Sequence, residues 1–195
     1  VRLPADVEFG RTVGVLAELD VDPTISGILV LRPLPPHLPE ARILRAIPPE
    51  KDIEAQHPEN AGLLALGTPR FIPSTPAACF LMLDRYMEDS GHTPETAYDG
   101  LDIVVVGRSN NVGKPAAILG LARNATVVSC HKHTSDAGRL REHLALADVL
   151  IVAVGVPRLI TGDMLKEGAV VVDVGINVMR DESGKSRPVG DVDLE

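Results

Sequence analysis

The chain of 195 residues is long enough for one large domain or two small ones, and its 45% of hydrophobic residues can supply a core. A net charge of −8 and an aromatic content of 3% argue against nucleic-acid partners, because phosphate neutralisation requires clustered Lys and Arg and base stacking requires rings. Since the start lacks the basic and apolar regions of a signal peptide, and no apolar run approaches roughly 20 residues, we expect a cytoplasmic protein without membrane partners.

Residues 1–90 predict a small, proline-rich α/β domain. Helices are predicted at residues 8–19 and 39–46 and in "STPAACFLMLDRYMEDSG", and a single strand at residues 26–32. In the last helix Thr75 is the predicted cap and Pro76 lies in the first turn. A buried strand needs neighbours for its backbone groups, so we expect partner strands upstream of Val1 and a domain that is truncated here. The abrupt ending at "GDVDLE" suggests the same at the other terminus.

Residues 101–195 alternate between strand and helix after a polar linker at 91–100. Apolar runs rich in Val predict strands at 101–107, 125–130, 148–155 and 169–177. Helices are predicted between them at 112–123, 137–147 and 161–168. This order predicts a Rossmann-like doubly wound parallel sheet, in which ligands bind beyond the carboxyl ends of the strands.

A glycine loop, "GRSNNVGKP", follows the first of these strands. A triphosphate-binding P-loop is excluded, because five residues separate Gly107 from Gly113 and Pro115 stands where a hydroxyl residue is required. A nucleophile elbow is excluded because Asn111 occupies its second glycine position. The dinucleotide motif G-x-G-x-x-G is matched loosely, since Ser109 replaces the middle glycine, but the strand-to-helix context favours nucleotide binding over a plain turn.

The end of the second strand indicates which nucleotide binds. NAD-binding domains place Asp or Glu there to bind the ribose hydroxyls, whereas this chain reads "SCHKHT". Lys132 and Arg108 can together neutralise a 2′-phosphate, which favours NADP as the cofactor. For either residue taken alone, a solvated surface charge is the better interpretation.

Other polar residues in this half leave two interpretations open. His131 and His133, beside Cys130, lack the spacing of a zinc site and are interpreted as loop residues, with His131 a candidate neighbour of the cofactor. Asp173 is either a ligand-facing acid or a capping acid, and Gly175 permits close backbone approach to a nicotinamide ring.

Several stretches in one order and spacing carry a family resemblance. They are "GILVLRPLP", "EKDIEAQHPENAGLLALG", "STP", "GRSNNVGKP", "ADVLIVAVGVPRLITGDMLKEGAVVVDVGIN" and "PVGDVDLE". Together they resemble the bifunctional methylenetetrahydrofolate dehydrogenase/cyclohydrolase family over almost the whole chain. The resemblance implies NADP-dependent oxidation of methylenetetrahydrofolate, a tetrahydrofolate derivative, and hydrolysis of the methenyl product to formyltetrahydrofolate. It also implies a homodimer whose folate domain faces the nucleotide domain across a cleft.

Position by position, the resemblance assigns residues to both sides of that cleft. Asp52 and Glu54 match catalytic acids, and the substrate-binding segment is Val30, Leu31 and Arg32. The matching cofactor-binding residues are Gly107, Arg108, Ser109, Val112, Gly113, Lys132 and Ile176, the last of them beside the nicotinamide.

This sequence departs from the family pattern in several places. Neither Tyr86 nor Tyr98 has Lys four residues later, so the family's general acid/base lysine, which lies upstream of the segment matched by "VRLPADV", is not in this chain. Leu31 replaces the Gln that orients that lysine. Glu54 replaces an Asp that grips the pterin ring, and the family's following Gly is Ala55.

These departures leave three alternatives to a bifunctional enzyme. The first is a dehydrogenase-dominant variant with weak cyclohydrolase activity, favoured by Leu31 and Glu54. The second is a non-catalytic NADP-binding or scaffolding relative. The third is a different NADP-linked reductase on the same fold.

Overall fold

The computed structural model describes residues 1–93, 95–180 and 184–193 in two compact units. The first unit spans Val1–Ser74 and the second begins at Thr75. This division precedes the predicted linker at residues 91–100, because the helix before that linker packs within the second unit. Among the described residues, no helix combines the length and apolar character needed to cross a membrane.

Helices form most of the regular structure of the first unit. They are α1 (Phe9–Val21), α2 (Glu40–Leu44) and α3 (Pro58–Ala65). The first two confirm the predicted helices, whereas α3 was not predicted, although His57 and Pro58 signal its start. The His57 ring accepts the backbone N–H of Glu59 at 3.1 Å, and proline suits the first helical position. Leu16, Ile28, Ile43 and Ile47 form the core between these elements.

The predicted strand at residues 26–32 is wrong. Within this stretch Ile28 makes an isolated parallel bridge with Asp52, and its N–H donates to the Lys51 carbonyl at 2.6 Å. A strand requires a ladder of such bonds, and no second segment of the described residues continues the pairing. The apolar pattern therefore buries Ile28 here without forming a sheet.

The second unit contains the predicted parallel sheet. Its strands are β1 (Asp102–Val106), β2 (Thr126–Cys130), β3 (Val149–Val152) and β4 (Val170–Asp173), in the order β2-β1-β3-β4. They confirm the four predicted strands, and the central pair is buried on both faces, as continuous apolar runs require. The strand order reverses between β1 and β3, where doubly wound sheets open a crevice at their carboxyl ends.

The helices of the second unit differ from prediction in several places. Helix α4 (Ser74–Asp89) begins at Ser74, so Thr75 is its second residue and not its cap, and α5 (Gly113–Leu121) confirms the helix after the glycine loop. The helix predicted at 137–147 shortens to α7 (Leu140–Leu144), and α6 (Lys132–Asp136) precedes it. Gly138, at φ +71°, separates α6 from α7. Its N–H donates to the Ser135 carbonyl and the Arg139 N–H donates to the Thr134 carbonyl, which together form a Schellman cap.

Two further predictions near the end of the chain fail on local geometry. The predicted helix at 161–168 is a single 3₁₀ turn, Gly162–Met164. The last predicted strand ends at Asp173, four residues early, because Asn177 begins a separate antiparallel hairpin of β5 (Asn177–Arg180) and β6 (Ser186–Val189).

Candidate functional site

The glycine loop leaves the carboxyl end of β1 between the ends of its two neighbours. The Gly107 N–H donates to the Cys130 carbonyl of β2 at 2.9 Å, and a Cβ at this position would overlap the Ala153 carbonyl after β3. Gly107 also has a φ of +127°, and a Cβ on Gly113 would overlap the Gly107 carbonyl. Both glycines are therefore required by the close passage of the loop through the crevice.

Ser109 organises this loop from inside. Its Oγ accepts the backbone N–H of Val112 at 3.2 Å and that of Gly113 at 3.3 Å, which satisfies donors at the start of α5. Lys114 is held over the same turn by a 2.8 Å bond to the Asn110 side chain. The serine at the position of the middle glycine therefore shapes the loop by accepting two of these donors.

The cations predicted to select NADP lie near this loop. Arg108 is exposed. The pKa of His131 is lowered by burial first, and then by the charges of Arg108 and His133. Lys132 is the first residue of α6 and its Nζ bonds both carboxylate oxygens of Asp136, at 2.9 and 2.8 Å. The structure thus brings Arg108 close to the end of β2, with Lys132 partly neutralised by its own helix.

The sequence suggested that His131 and His133 lie in a loop, but the structure places them at the start of α6. Their rings meet edge to face with centroids 5.7 Å apart. The His131 Nδ1 is buried and has no hydrogen-bond partner among the described residues. A half-buried ring beside Arg108 therefore lines the same end of the sheet.

The carboxyl end of β4 answers the question about Asp173. Its carboxylate accepts the backbone N–H groups of Gly175 at 2.8 Å, Asp191 at 3.1 Å and Val192 at 2.9 Å, so it acts as a capping acid. Gly175 provides close approach to Asp191, because a Cβ there would overlap the Asp191 carboxylate. Ile176, the residue after Gly175, is 87% exposed. Sequence reasoning missed Asp191, whose signal is the second residue of "GDVD".

In the first unit, one turn carries both predicted acids. The bridge from Ile28 to Asp52 places this turn, and Lys51 anchors it by donating to the Leu19, Asp20 and Asp22 carbonyls at the end of α1. Asp52 is 1% exposed, and its Oδ2 accepts the His57 N–H at 2.7 Å and the Asn60 Nδ2 at 2.9 Å. The carboxylate of Asp52 therefore holds the start of α3.

Glu54 lies closer to the predicted substrate segment. Its Oε2 accepts the Ser74 N–H at 3.3 Å, and its carbonyl accepts the Gln56 side chain at 2.9 Å. Arg32 donates to that same Gln56 at 3.3 Å and pairs with Glu40 at 3.2 Å. Arg32 and the Glu54 turn are thus brought together through one amide.

Val30 and Leu31 face a different space. They line an apolar cavity of about 640 Å³ together with residues 1–5, Val7 and the buried face of α1. Leu31 is 77% exposed, and neither Asp52 nor Glu54 is among the lining residues. The three predicted substrate residues are consecutive in the sequence, but the structure separates them. Val30 and Leu31 lie at the cavity, whereas Arg32 lies at the Glu54 turn.

Comparison with known proteins places both units in one family. Residues 73–195 match the family model for the tetrahydrofolate dehydrogenase/cyclohydrolase NAD(P)-binding domain, and residues 1–54 match that for its catalytic domain. Bifunctional protein FolD 3 of Rubrobacter xylanophilus is 57% identical over 195 residues, covering 99% of this chain and 61% of the relative. A bifunctional FolD of Moorella thermoacetica is 46% identical over 100% of this chain and 64% of its own length.

Solved structures agree in fold. The bifunctional FolD methylenetetrahydrofolate dehydrogenase/cyclohydrolase of Campylobacter jejuni superposes with a TM-score of 0.86 at 40% identity, over 98% of this chain and 63% of that one. The Trypanosoma brucei enzyme, complexed with NADP cofactor and inhibitor, gives 0.85 at 33% identity over the same shares, 98% and 63%. This chain spans about three fifths of the length of these relatives.

Proposed function

Because the chain belongs to the tetrahydrofolate dehydrogenase/cyclohydrolase family, we propose that the protein containing it oxidises methylenetetrahydrofolate with NADP⁺ and hydrolyses the methenyl product to formyltetrahydrofolate. The observation that carries the proposal is the glycine loop at the β1–β3 crevice. Its Arg108 lies near His131, the residue after β2. Ligands of doubly wound sheets bind at this point of the fold.

The cofactor residues have distinct proposed roles. Gly107 and Gly113 let the backbone approach the pyrophosphate, with the N-terminus of α5 and Val112 beside it. Arg108 binds the 2′-phosphate, and Lys132 adds a second cation while keeping its contact with Asp136. The donor set therefore fits NADP, whose nicotinamide accepts the hydride.

On the folate side, Glu54 and Arg32 are the proposed substrate contacts. The Arg32 guanidinium and the Glu54 backbone carbonyl both bond the Gln56 side chain, whereas Asp52 is buried and supports the turn. Leu31 presents an exposed hydrocarbon where the resemblance implies an amide. This observation favours a second candidate function, a dehydrogenase-dominant variant in which hydrolysis of the methenyl bond is slow.

The setting of the activity is part of the same proposal. A cytoplasmic homodimer that supplies one-carbon units for purine biosynthesis accords with the family resemblance. Molecular mass in solution tests the dimer, and monomeric behaviour at micromolar concentrations would count against it.

Selective binding of NADP⁺ tests the cofactor assignment. Titration calorimetry of the chain should give tighter binding of NADP⁺ than of NAD⁺. Arg108→Gln should weaken NADP⁺ binding about tenfold or more and leave NAD⁺ unchanged, because one charge-assisted bond to the 2′-phosphate is lost.

Arg85→Gln provides the matched control, since Arg85 pairs with Asp89 on the surface of α4. It should bind both nucleotides as the parent chain does. Equal affinity of the parent chain for NADP⁺ and NAD⁺ would contradict the assignment. NADP⁺ binding without methylenetetrahydrofolate oxidation by the protein containing this chain would favour a different NADP-linked reductase.

A further inference from the structure

A buried carboxylate at the end of the described chain joins three separate segments. Asp191 is fully buried, and its Oδ2 accepts the backbone N–H groups of Val154 at 2.8 Å and Gly155 at 2.9 Å, just after β3. Its Oδ1 accepts the Asn177 Nδ2 at 2.8 Å, at the start of β5. One side chain therefore ties the loop after β3 to the residues that follow β4.

A second carboxylate interlocks with the first. Asp173 accepts the N–H of Asp191 itself and that of Gly175. A Cβ on Gly175 would overlap the Asp191 carboxylate, and a Cβ on Gly190 would overlap that of Asp173. We call this pair of carboxylates, Asp173 and Asp191, the carboxylate clasp.

The clasp controls the position of one exposed residue. Ile176 lies between Gly175, which Asp173 and Asp191 hold in close contact, and Asn177, which Asp191 bonds. Its side chain is nevertheless 87% exposed at the carboxyl edge of the sheet. Bonds to Asp173 and Asp191 therefore hold the residues on both sides of Ile176 along the chain.

We propose that Asp191 is a positioning residue for the nicotinamide half of NADP, because it fixes Ile176 and the loop after β3 at the crevice. The inference rests on the proposed function. It concerns preorganisation of the site, in which the surface that meets the ring is set before the cofactor arrives.

The chemistry of the bonds explains why a carboxylate is needed. Two oxygens accept three donors at Asp191, and an Asn has a single acceptor oxygen. In Asp191→Asn the remaining oxygen can keep the Val154 and Gly155 donors, but the new amide then faces the Asn177 Nδ2, donor against donor, and a bond forms only if the Asn177 amide turns over. Asn177→Asp in the same chain restores a donor–acceptor pair.

Binding of two probes to the folded chain tests the inference. NADP⁺ contains the nicotinamide, whereas adenosine 2′,5′-bisphosphate carries only the adenosine half. D191N should weaken NADP⁺ binding about tenfold and change binding of the bisphosphate less than about twofold. The double variant D191N/N177D should recover most of the NADP⁺ affinity. Asp89→Asn, the same change in a surface pair on α4, should alter neither.

Each other outcome counts against the proposal. Parent-like NADP⁺ binding by D191N, equal losses for both probes, or a folded double variant that recovers nothing would each overturn it. Failure of the unchanged chain to bind either probe would instead remove the proposed function, and this inference with it.

Discussion

At the scale of single residues, Asp52 and Glu54 show how two acids in one motif acquire different roles. Asp52 is 1% exposed and bonds the start of α3, whereas Glu54 is half-buried and lies beside Gln56. The Asp52 Oδ1 is buried with no hydrogen-bond partner among the described residues. The catalytic assignment of Asp52 stays a prediction, and its contacts give it a structural role as well.

Substitution of Asp52 separates the two roles. Asp52→Ala should destabilise the chain by about 1–3 kcal/mol, because the His57 N–H loses its acceptor inside the protein. Asp52→Asn can keep that acceptor and places its amide where Oδ1 has no partner, so its stability should stay near that of the parent. Urea unfolding measures both, with Asp89→Asn on the surface of α4 as a control. Equal losses for Ala and Asn would contradict the structural role.

At the scale of elements, the segment predicted as a linker is anchored to α4. Tyr98 is 1% exposed, its ring meets Phe80 edge to face at 5.9 Å, and its O–H donates to Asp84 at 2.6 Å. Arg123, after α5, donates to the other Asp84 oxygen at 3.0 Å and lies over the Phe80 ring. A polar stretch with one buried tyrosine thus joins α4 to the sheet unit, which composition does not reveal.

This anchor predicts a loss of stability at high pH. Burial, and then Asp84, raise the pKa of Tyr98, so the folded state holds its proton where the unfolded state releases it. The stabilisation is complete below the unfolded value of about 10 and is lost as pH rises above it. Burial likewise raises the pKa of Cys79 and Cys130, which adds a loss that begins at lower pH.

The test is urea unfolding at increasing pH for three chains. Tyr98→Phe should lose about 0.5–1.5 kcal/mol at neutral pH and show a shallower decline above about pH 10. Tyr86→Phe, at a half-exposed position on α4, should decline as the parent does. An unchanged alkaline decline in Tyr98→Phe would rule out this account of the anchor.

At the scale of the whole molecule, the chain has a net charge of −8, and hydrogen bonds and ion pairs to its carboxylates contribute to its stability. Asp148 accepts the Asp102 N–H at 2.9 Å and a bond from Lys166, joining the starts of β1 and β3 to the turn before β4. The Lys166 bond, followed by the Asp102 N–H, lowers the Asp148 pKa. Bonds from Thr161 and Arg141 lower the pKa of Asp163 in the same way.

Acid should therefore destabilise the fold. The unfolded carboxylates take up protons first, so the stabilisation is present above their unfolded pKa of about 4 and is lost as pH falls through the lower folded values. Thermal unfolding between about pH 6 and pH 3 should show this decline. Asp148→Asn should start less stable and decline less steeply, whereas Asp89→Asn should follow the parent. A decline of equal slope in Asp148→Asn would contradict the role of Asp148.

The sequence by itself determined the parallel sheet and the glycine loop. Strands buried on both faces must be continuous apolar runs, and "DIVVV", "TVVSC", "VLIV" and "VVVD" are recognisable without knowledge of their neighbours. Gly107 and Gly113 bracket the loop at positions where no side chain fits, so their residue type marks the tight turn after the first strand. These features depend on local pattern and steric exclusion, which residue types express directly.

The tertiary structure alone decided which apolar or acidic residues find partners. Residues 26–32 have the pattern of a strand but make one bridge, because a ladder depends on a second segment that no local pattern specifies. In the sequence Asp191 resembles any other acid. In the structure it is fully buried and accepts hydrogen bonds from Val154, Gly155 and Asn177. Those donors are brought to it only by the folding of distant segments against one another, so their convergence could not be predicted from the sequence.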